Sequence, residues 1–155
     1  MKKVLFVCTG NTCRSPMAEA IYNHIAAQRG FSGTHQAFSA GIYPVSGDPV
    51  TAGAVHAVKT LFGADLRGHA SRLLEARDLK EAWLVLAMTR HHVESIRDGF
   101  PGLEDRVFTL KEFAGYDVRD QDIPDPFGTF DETYIACALE IFEAMERAGD
   151  LLFDS

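Results

Sequence analysis

At 155 residues, with 46% apolar and 24% charged side chains, the chain has the balance of one globular domain and none of the bias of a disordered or fibrous sequence. Its formal charge of −7, from 15 basic and 22 acidic residues, argues against nonspecific binding to nucleic acid or anionic membranes as the main role. The longest apolar runs, Val4 to Cys8 and Trp83 to Met88, are far shorter than the roughly 20 residues of a membrane-spanning helix.

Val4-Leu5-Phe6-Val7 is a continuous apolar run with β-branched residues, which predicts a buried strand of a parallel sheet ending at Cys8. From Ser15 the period changes: Met17, Ala20, Ile21, Ile25 and Ala26 recur at helical spacing, with Pro16 at the first helical position and Gly30 closing the segment. Ala37 to Ala40 predicts a short strand. Thr51 to Phe62 predicts a helix with Ala54, Val55, Val58, Leu61 and Phe62 on one face. Glu75 to Ala82 reads as a short helix leading into Trp83 to Met88, a second central strand. Thr89 is placed to cap a helix through Arg97, which Gly99 and Pro101 break, and Arg106 to Leu110 supplies a fourth strand. Gly115 to Gly128 is loop. A last helix, Asp131 to about Arg147, directs Tyr134, Ile135, Ala138, Leu139, Phe142 and Met145 to the core.

With no repeat or linker, this alternation predicts a single α/β domain over residues 1–155, a parallel sheet with helices on both faces. Ligands in such folds sit at the carboxyl ends of strands, so the loop after the first strand is where chemistry is expected. Met1-Lys2-Lys3 precedes no small-residue cleavage site, and the three cysteines, Cys8, Cys13 and Cys137, have no framework spacing. Both features predict a reducing, cytoplasmic setting.

The loop reads Cys8-Thr9-Gly10-Asn11-Thr12-Cys13-Arg14-Ser15. A tight turn entering a helix N-terminus points successive backbone N–H groups into one concavity, and the helix dipole adds partial positive charge, which makes a cradle for a tetrahedral dianion. Arg14 adds a planar fork of donors for two phosphoryl oxygens. The same field favours the thiolate of Cys8 as nucleophile. Gly10 and Asn11 tolerate the left-handed backbone such a loop needs. A nucleotide-binding loop fits poorly, since neither Gly-Lys-Ser/Thr nor Gly-x-Gly-x-x-Gly is present.

Val4 through Glu19, with Ser39-Ala40-Gly41, His69 in Gly68-His69-Ala70-Ser71-Arg72, Leu84 to Met88, and Asp125-Pro126, resembles the low-molecular-weight protein tyrosine phosphatase family over nearly the whole chain. The resemblance implies a four-stranded, twisted parallel sheet, a phosphocysteine intermediate at Cys8, transition-state binding by Arg14 and Asp125 as general acid. It further implies that Asn11, Ser15, Ser39 and His69 form a supporting network, with Ser15 donating to the thiolate. No metal or other cofactor is implied.

Two features depart from the usual tyrosine-directed pattern: Thr12 where a bulky aliphatic residue is common, and Phe127-Gly128 where aromatic residues follow Asp-Pro. The combination is similar to the bacterial protein arginine phosphatase branch. Thr12 can hydrogen-bond the attacking water or a guanidinium, Phe127 can stack on a planar leaving group, and Asp120, Asp122 and Asp125 make an acidic rim suited to a cation. Phosphotyrosine is the alternative. Among the remaining residues, Cys13 either forms a reversible disulfide with Cys8 or serves structure, and Cys137 is expected in the core. Tyr43 belongs to the cleft rim or to loop packing. His91 and His92 are expected on a solvated helix without zinc spacing. Leu151-Leu152-Phe153 docks on the core or on a partner. A thiol-coupled arsenate reductase needs two further cysteines where only Cys137 is available, and a noncatalytic phospho-residue binder would not need both nucleophile and acid. Phosphorylated proteins are the expected partners, and the sequence leaves the oligomeric state open.

Overall fold

The computed structural model describes residues 1–102 and 105–153. Strand β1 (Lys2–Cys8) lies inside a four-stranded parallel sheet with β2 (His35–Gly41), β3 (Leu84–Ala87) and β4 (Val107–Thr109), in the order β2-β1-β3-β4. Its side chains alternate between two cores: Val4, Phe6 and Cys8 enter one, Leu5 and Val7 the other. Burial on both faces is why this segment carries no polar alternation. The chain leaves β1 toward β2 and then crosses back to β3 on the opposite side. The carboxyl end of β1 is therefore a topological switch point, where two connections diverge and leave a crevice.

Helices α1 (Arg14–Arg29), α2 (Ala52–Phe62) and α6 (Asp131–Arg147) cover the Val4/Phe6 face, and α3 (Ala76–Glu81) and α4 (Arg90–Gly99) cover the Leu5/Val7 face. Local chemistry sets their ends. Gly30 adopts φ 82° and returns its N–H to the carbonyls of Ala26 and Ala27, closing α1. Glu75 and Asp78 form a capping box on α3, and the Thr89 hydroxyl accepts the His92 N–H at the start of α4.

Several boundaries differ from the sequence expectation. Helix α1 begins at Arg14, so Pro16 is its third residue; its ring removes one of the N–H groups that have no partner in the first turn. Gly99 lies within α4, and the helix stops at Phe100, where the following Pro101 disfavours helical backbone. Strand β4 ends at Thr109, whose hydroxyl accepts the Glu112 N–H and starts a one-turn helix, α5 (Leu110–Phe113). Along α6 the buried stripe is Tyr134, Cys137, Ala138, Ile141, Ala144 and Met145. Leu139 is 46% exposed, because α6 turns its face to α1 and α2 together. His92 is buried rather than solvated, while His91 stays exposed. A further turn, α7 (Gly149–Leu152), buries Leu152 and Phe153 against the core, where Phe153 stacks on Tyr22 with ring centroids 4.7 Å apart. Leu151 points outward.

Helices α2 and α6 pack closely at Gly53. A Cβ on Gly53 would fall 2.3 Å from the ring of Tyr134, which is buried and cannot swing away. Gly53→Ala is expected to lower the free energy of unfolding by about 1–3 kcal/mol through overpacking, read by urea denaturation, and to be rescued in part by Tyr134→Leu.

Candidate active site

The segment between β1 and α1 is folded around one residue. Asn11 takes φ 56°, while Gly10 keeps a negative φ, so the left-handed turn falls on the asparagine. The turn packs on the end of β2, where a Cβ on Gly41 would lie 2.8 Å from the Thr9 carbonyl and 3.1 Å from Asn11. Only glycine allows that approach. Backbone bonds fix the loop from both sides: Ile42 N–H donates to the Cys8 carbonyl, Tyr43 N–H to Thr9, and Thr51 N–H to Thr12. The amides of Gly10, Thr12, Cys13 and Arg14 make no hydrogen bond among the described residues, so they remain a set of donors at a helix start.

Asn11 is fully buried and its side chain serves both directions. Its Oδ1 accepts the backbone N–H of Arg72 at 3.1 Å, which fixes the amide orientation. Its Nδ2 then donates to Ser15 Oγ at 2.8 Å and to Ser39 Oγ at 3.0 Å. His69 Nε2 stands 3.2 Å from both Asn11 O and Oδ1; two acceptors require that this nitrogen carry the proton. Because Ser15 Oγ already receives the Asn11 amide, its own hydrogen is free for Cys8 Sγ, 2.9 Å away. The Asn11 N–H adds a second contact to that sulfur at 3.3 Å. Ser39 Oγ donates onward to Glu19 Oε1 at 2.9 Å, and burial raises the Glu19 carboxyl above its ordinary pKa, partly offset by that bond. Glu19 was not singled out in the sequence, although it sits one turn after Ser15 on the same face.

Arg14 joins the loop to the far part of the chain. Its guanidinium is buried, Nη1 donates to the Ile123 carbonyl at 3.0 Å, and Nη2 lies 3.6 Å from Asp125 Oδ2. Its Nε is buried with no hydrogen-bond partner. Ile123 N–H in turn donates to Met88 at the end of β3, which anchors the acid-bearing loop. Asp125 Oδ1 accepts the Phe127 N–H at 3.1 Å. These groups bound a pocket of about 270 Å³ with Cys8, Thr9, Gly10, Thr12, Cys13 and Arg14 at its base and Tyr43, Val45, Asp48, Asp125 and Phe127 around its mouth.

The acidic rim therefore differs from the one expected. Asp122 accepts the Arg90 N–H and Asp120 pairs with Lys111 at 2.7 Å, so both face their own partners. Asp48, not foreseen, takes their place at the mouth. Among the described residues, no three His, Cys, Asp or Glu side chains are grouped to hold a metal, and no helix is long and apolar enough to cross a membrane. The three cysteines are free thiols. Cys13 turns toward Thr51 and Tyr134, at 3.3 and 3.7 Å, and burial raises its pKa. Burial pushes Cys137 up to about 12.

His92 supports the loop from the other face. Its Nε2 lies 2.9 Å from Thr9 Oγ1, and burial, with the nearby Arg14 charge, lowers its pKa to about 4. Below about pH 6.5 the unfolded chain takes up a proton that the folded chain refuses, so stability is lost as pH falls from about 6.5 to about 4 and the loss then levels off. In urea unfolding at several pH values, His92→Gln should reduce that acid-side loss by up to about 3 kcal/mol.

Residues 3–152 match the family of low molecular weight phosphotyrosine protein phosphatases. A protein-arginine-phosphatase of Bacillus subtilis is 38% identical over 96% of this chain and 95% of its own length. The low molecular weight protein-tyrosine-phosphatase PtpB of Staphylococcus aureus is 34% identical over 97% and 99%. Among solved structures, a low molecular weight protein tyrosine phosphatase from T. tengcongensis superposes with a TM-score of 0.92 at 39% identity, covering 98% of this chain and all of its own. The YwlE arginine phosphatase bearing a phosphorylated active-site serine gives 0.88 at 36%, over 98% and 97%. With the family model matched over residues 3–152, full-length likeness to these phosphatases and a cysteine at the carboxyl end of β1, the chain belongs to the low molecular weight phosphotyrosine protein phosphatase family and is a cysteine-based protein phosphatase.

Proposed function

We propose that the chain hydrolyses phosphoarginine in proteins, with Cys8 as nucleophile, Arg14 and the loop amides as the phosphate cradle, and Asp125 as the proton donor. The observation that carries the specificity is the pairing of Thr12 with the carboxylates of Asp48 and Asp125 around one small pocket. A planar cation leaving through that mouth meets two negative groups and a hydroxyl. Phe127 offers it an exposed ring to stack on. The full-length likeness to proteins named protein-arginine-phosphatase supports the same reading.

The first step is an in-line displacement. The Cys8 thiolate, receiving hydrogen bonds from Ser15 and the Asn11 amide, attacks phosphorus; the S–P bond forms as the P–N bond breaks. Charge on the equatorial oxygens is taken up by the free amides of Gly10, Thr12, Cys13 and Arg14 and by the unpartnered Nε of Arg14. The leaving nitrogen takes the proton of Asp125 and departs as guanidinium. In the second step the Asp125 carboxylate removes a proton from water attacking the phosphocysteine, which Thr12 can orient. The S–P bond then breaks, inorganic phosphate leaves and the thiolate is restored. Asn11, Ser15, Ser39 and His69 act by holding the loop in this shape.

Phosphotyrosine is the second reading, favoured by the aromatic walls Tyr43 and Phe127. Matched phosphopeptides separate the two: a higher kcat/KM on phosphoarginine is expected, and a higher value on phosphotyrosine would overturn the assignment. Thr12→Ile should move the ratio toward tyrosine by about tenfold, within the range a single altered pocket contact supplies.

Asp125→Asn should lower kcat on phosphoarginine peptides by about 10²- to 10⁴-fold, the usual worth of a positioned proton donor. Cys8→Ser should remove the burst of p-nitrophenol in rapid-quench measurements.

A further inference from the structure

We propose that an apolar groove adjoining the pocket mouth seats the substrate polypeptide beside its phosphorylated residue and takes an apolar side chain on one side of it. The inference rests on the protein-phosphatase activity and holds for either phosphorylated residue.

The groove encloses about 520 Å³ and shares Tyr43 with the phosphate pocket. Its floor is Leu74 and Ile96, both buried, and its walls include Ile42, Leu73 and Phe100. Tyr43 is 75% and Leu73 50% exposed, so the walls present apolar surface to solvent. The two cavities are joined through the backbone as well. Ile42 and Tyr43 donate to the carbonyls of Cys8 and Thr9, and Leu74 donates to Gly41. One strand step thus separates the residue carrying the nucleophile from the groove wall, a backbone spacing of about 4.8 Å.

A phosphorylated side chain inserted over Cys8 brings its own main chain across the rim. On one side that rim is Asp125 and Phe127; on the other it is Tyr43, behind which the apolar groove opens. A second copy of this chain seated there would also cover Tyr43 and crowd the mouth, whereas a substrate polypeptide must occupy this region at each turnover. Asp98 at the groove edge disfavours an acidic neighbour. The preferred occupant is therefore a leucine-like side chain in an unstructured segment, close in sequence to the phosphorylated residue and on one side only.

The test is a set of peptides in a Gly-Ser background, with one Leu walked from three residues before to three after the phosphorylated position, prepared in phosphoarginine and phosphotyrosine versions. For the enzyme as it stands, kcat/KM should rise about tenfold when Leu occupies one or two positions on a single side, the worth of one side chain moved into a partly open apolar site. Leu73→Asp should erase that gain while leaving p-nitrophenyl phosphate turnover and Tm unchanged, and Leu73→Ser should reduce it. A flat Leu series overturns the proposal, as does a gain that survives Leu73→Asp. Sedimentation in which Leu73→Asp dissociates a dimer while the peptide gain persists assigns the groove to a second copy instead, and also overturns it. The gain is a ratio within each phosphopeptide series, so an enzyme that prefers phosphotyrosine would overturn the arginine assignment without touching the groove.

Discussion

The arrangement of the active site depends on the side chain of Asn11. A left-handed residue inside the loop turns the following amides toward one point, and the same residue's amide group holds the turn in place. Its Oδ1 is committed to Arg72 and His69, so its Nδ2 must donate to Ser15 and Ser39. That directionality passes the Ser15 hydrogen to Cys8. A buried polar group without partners costs free energy, and a fully satisfied one specifies a single geometry. Here the cost of burying an asparagine is offset by four side-chain and backbone partners, and the result is a loop held in one shape.

The second constraint is the buried guanidinium of Arg14. In an acidic chain the pocket needs a local positive charge, and the only buried arginine among the described residues lies in its wall. One limb is spent on Ile123, which brings the Asp125 loop across from the end of β3. Another lies 3.6 Å from Asp125 Oδ2, and Nε has no hydrogen-bond partner. In the proposed mechanism a single side chain thus combines phosphate recognition with placement of Asp125, two tasks that a lysine, as a point charge, would not serve together.

All three cysteines are buried, and their local partners distinguish the sulfurs. Burial raises the pKa values of Cys13 and Cys137, which disfavours thiolate chemistry at both. Cys8 alone is the sulfur that meets Ser15 and the Asn11 amide. Helix α4 contributes a neutral His92 against Thr9, so the loop is supported from both faces of the sheet.

Much of this was legible in the amino-acid order, because local rules produce it. The apolar run of β1 and the helical periods of α1, α2 and α6 follow from burial and from the 2.0 and 3.6 residue periods. The cysteine, arginine and asparagine of the loop lie within one short segment whose chemistry points to a phosphate. Contacts between segments far apart in the chain were legible only where the family resemblance named them, as for Ser39, His69 and Asp125. Glu19 behind Ser39, Asp48 in place of Asp120 and Asp122, buried His92 and the outward turn of Leu139 depend on which faces meet after the sheet is assembled. The sequence by itself determined the strand, loop and helix that bear Cys8, since those are set by neighbouring residues. Only the tertiary structure decided that Asp48, the buried His92 and the apolar walls surround it, because the segments that follow β2 and β3 meet at the end of β1 from positions the chain order leaves far apart.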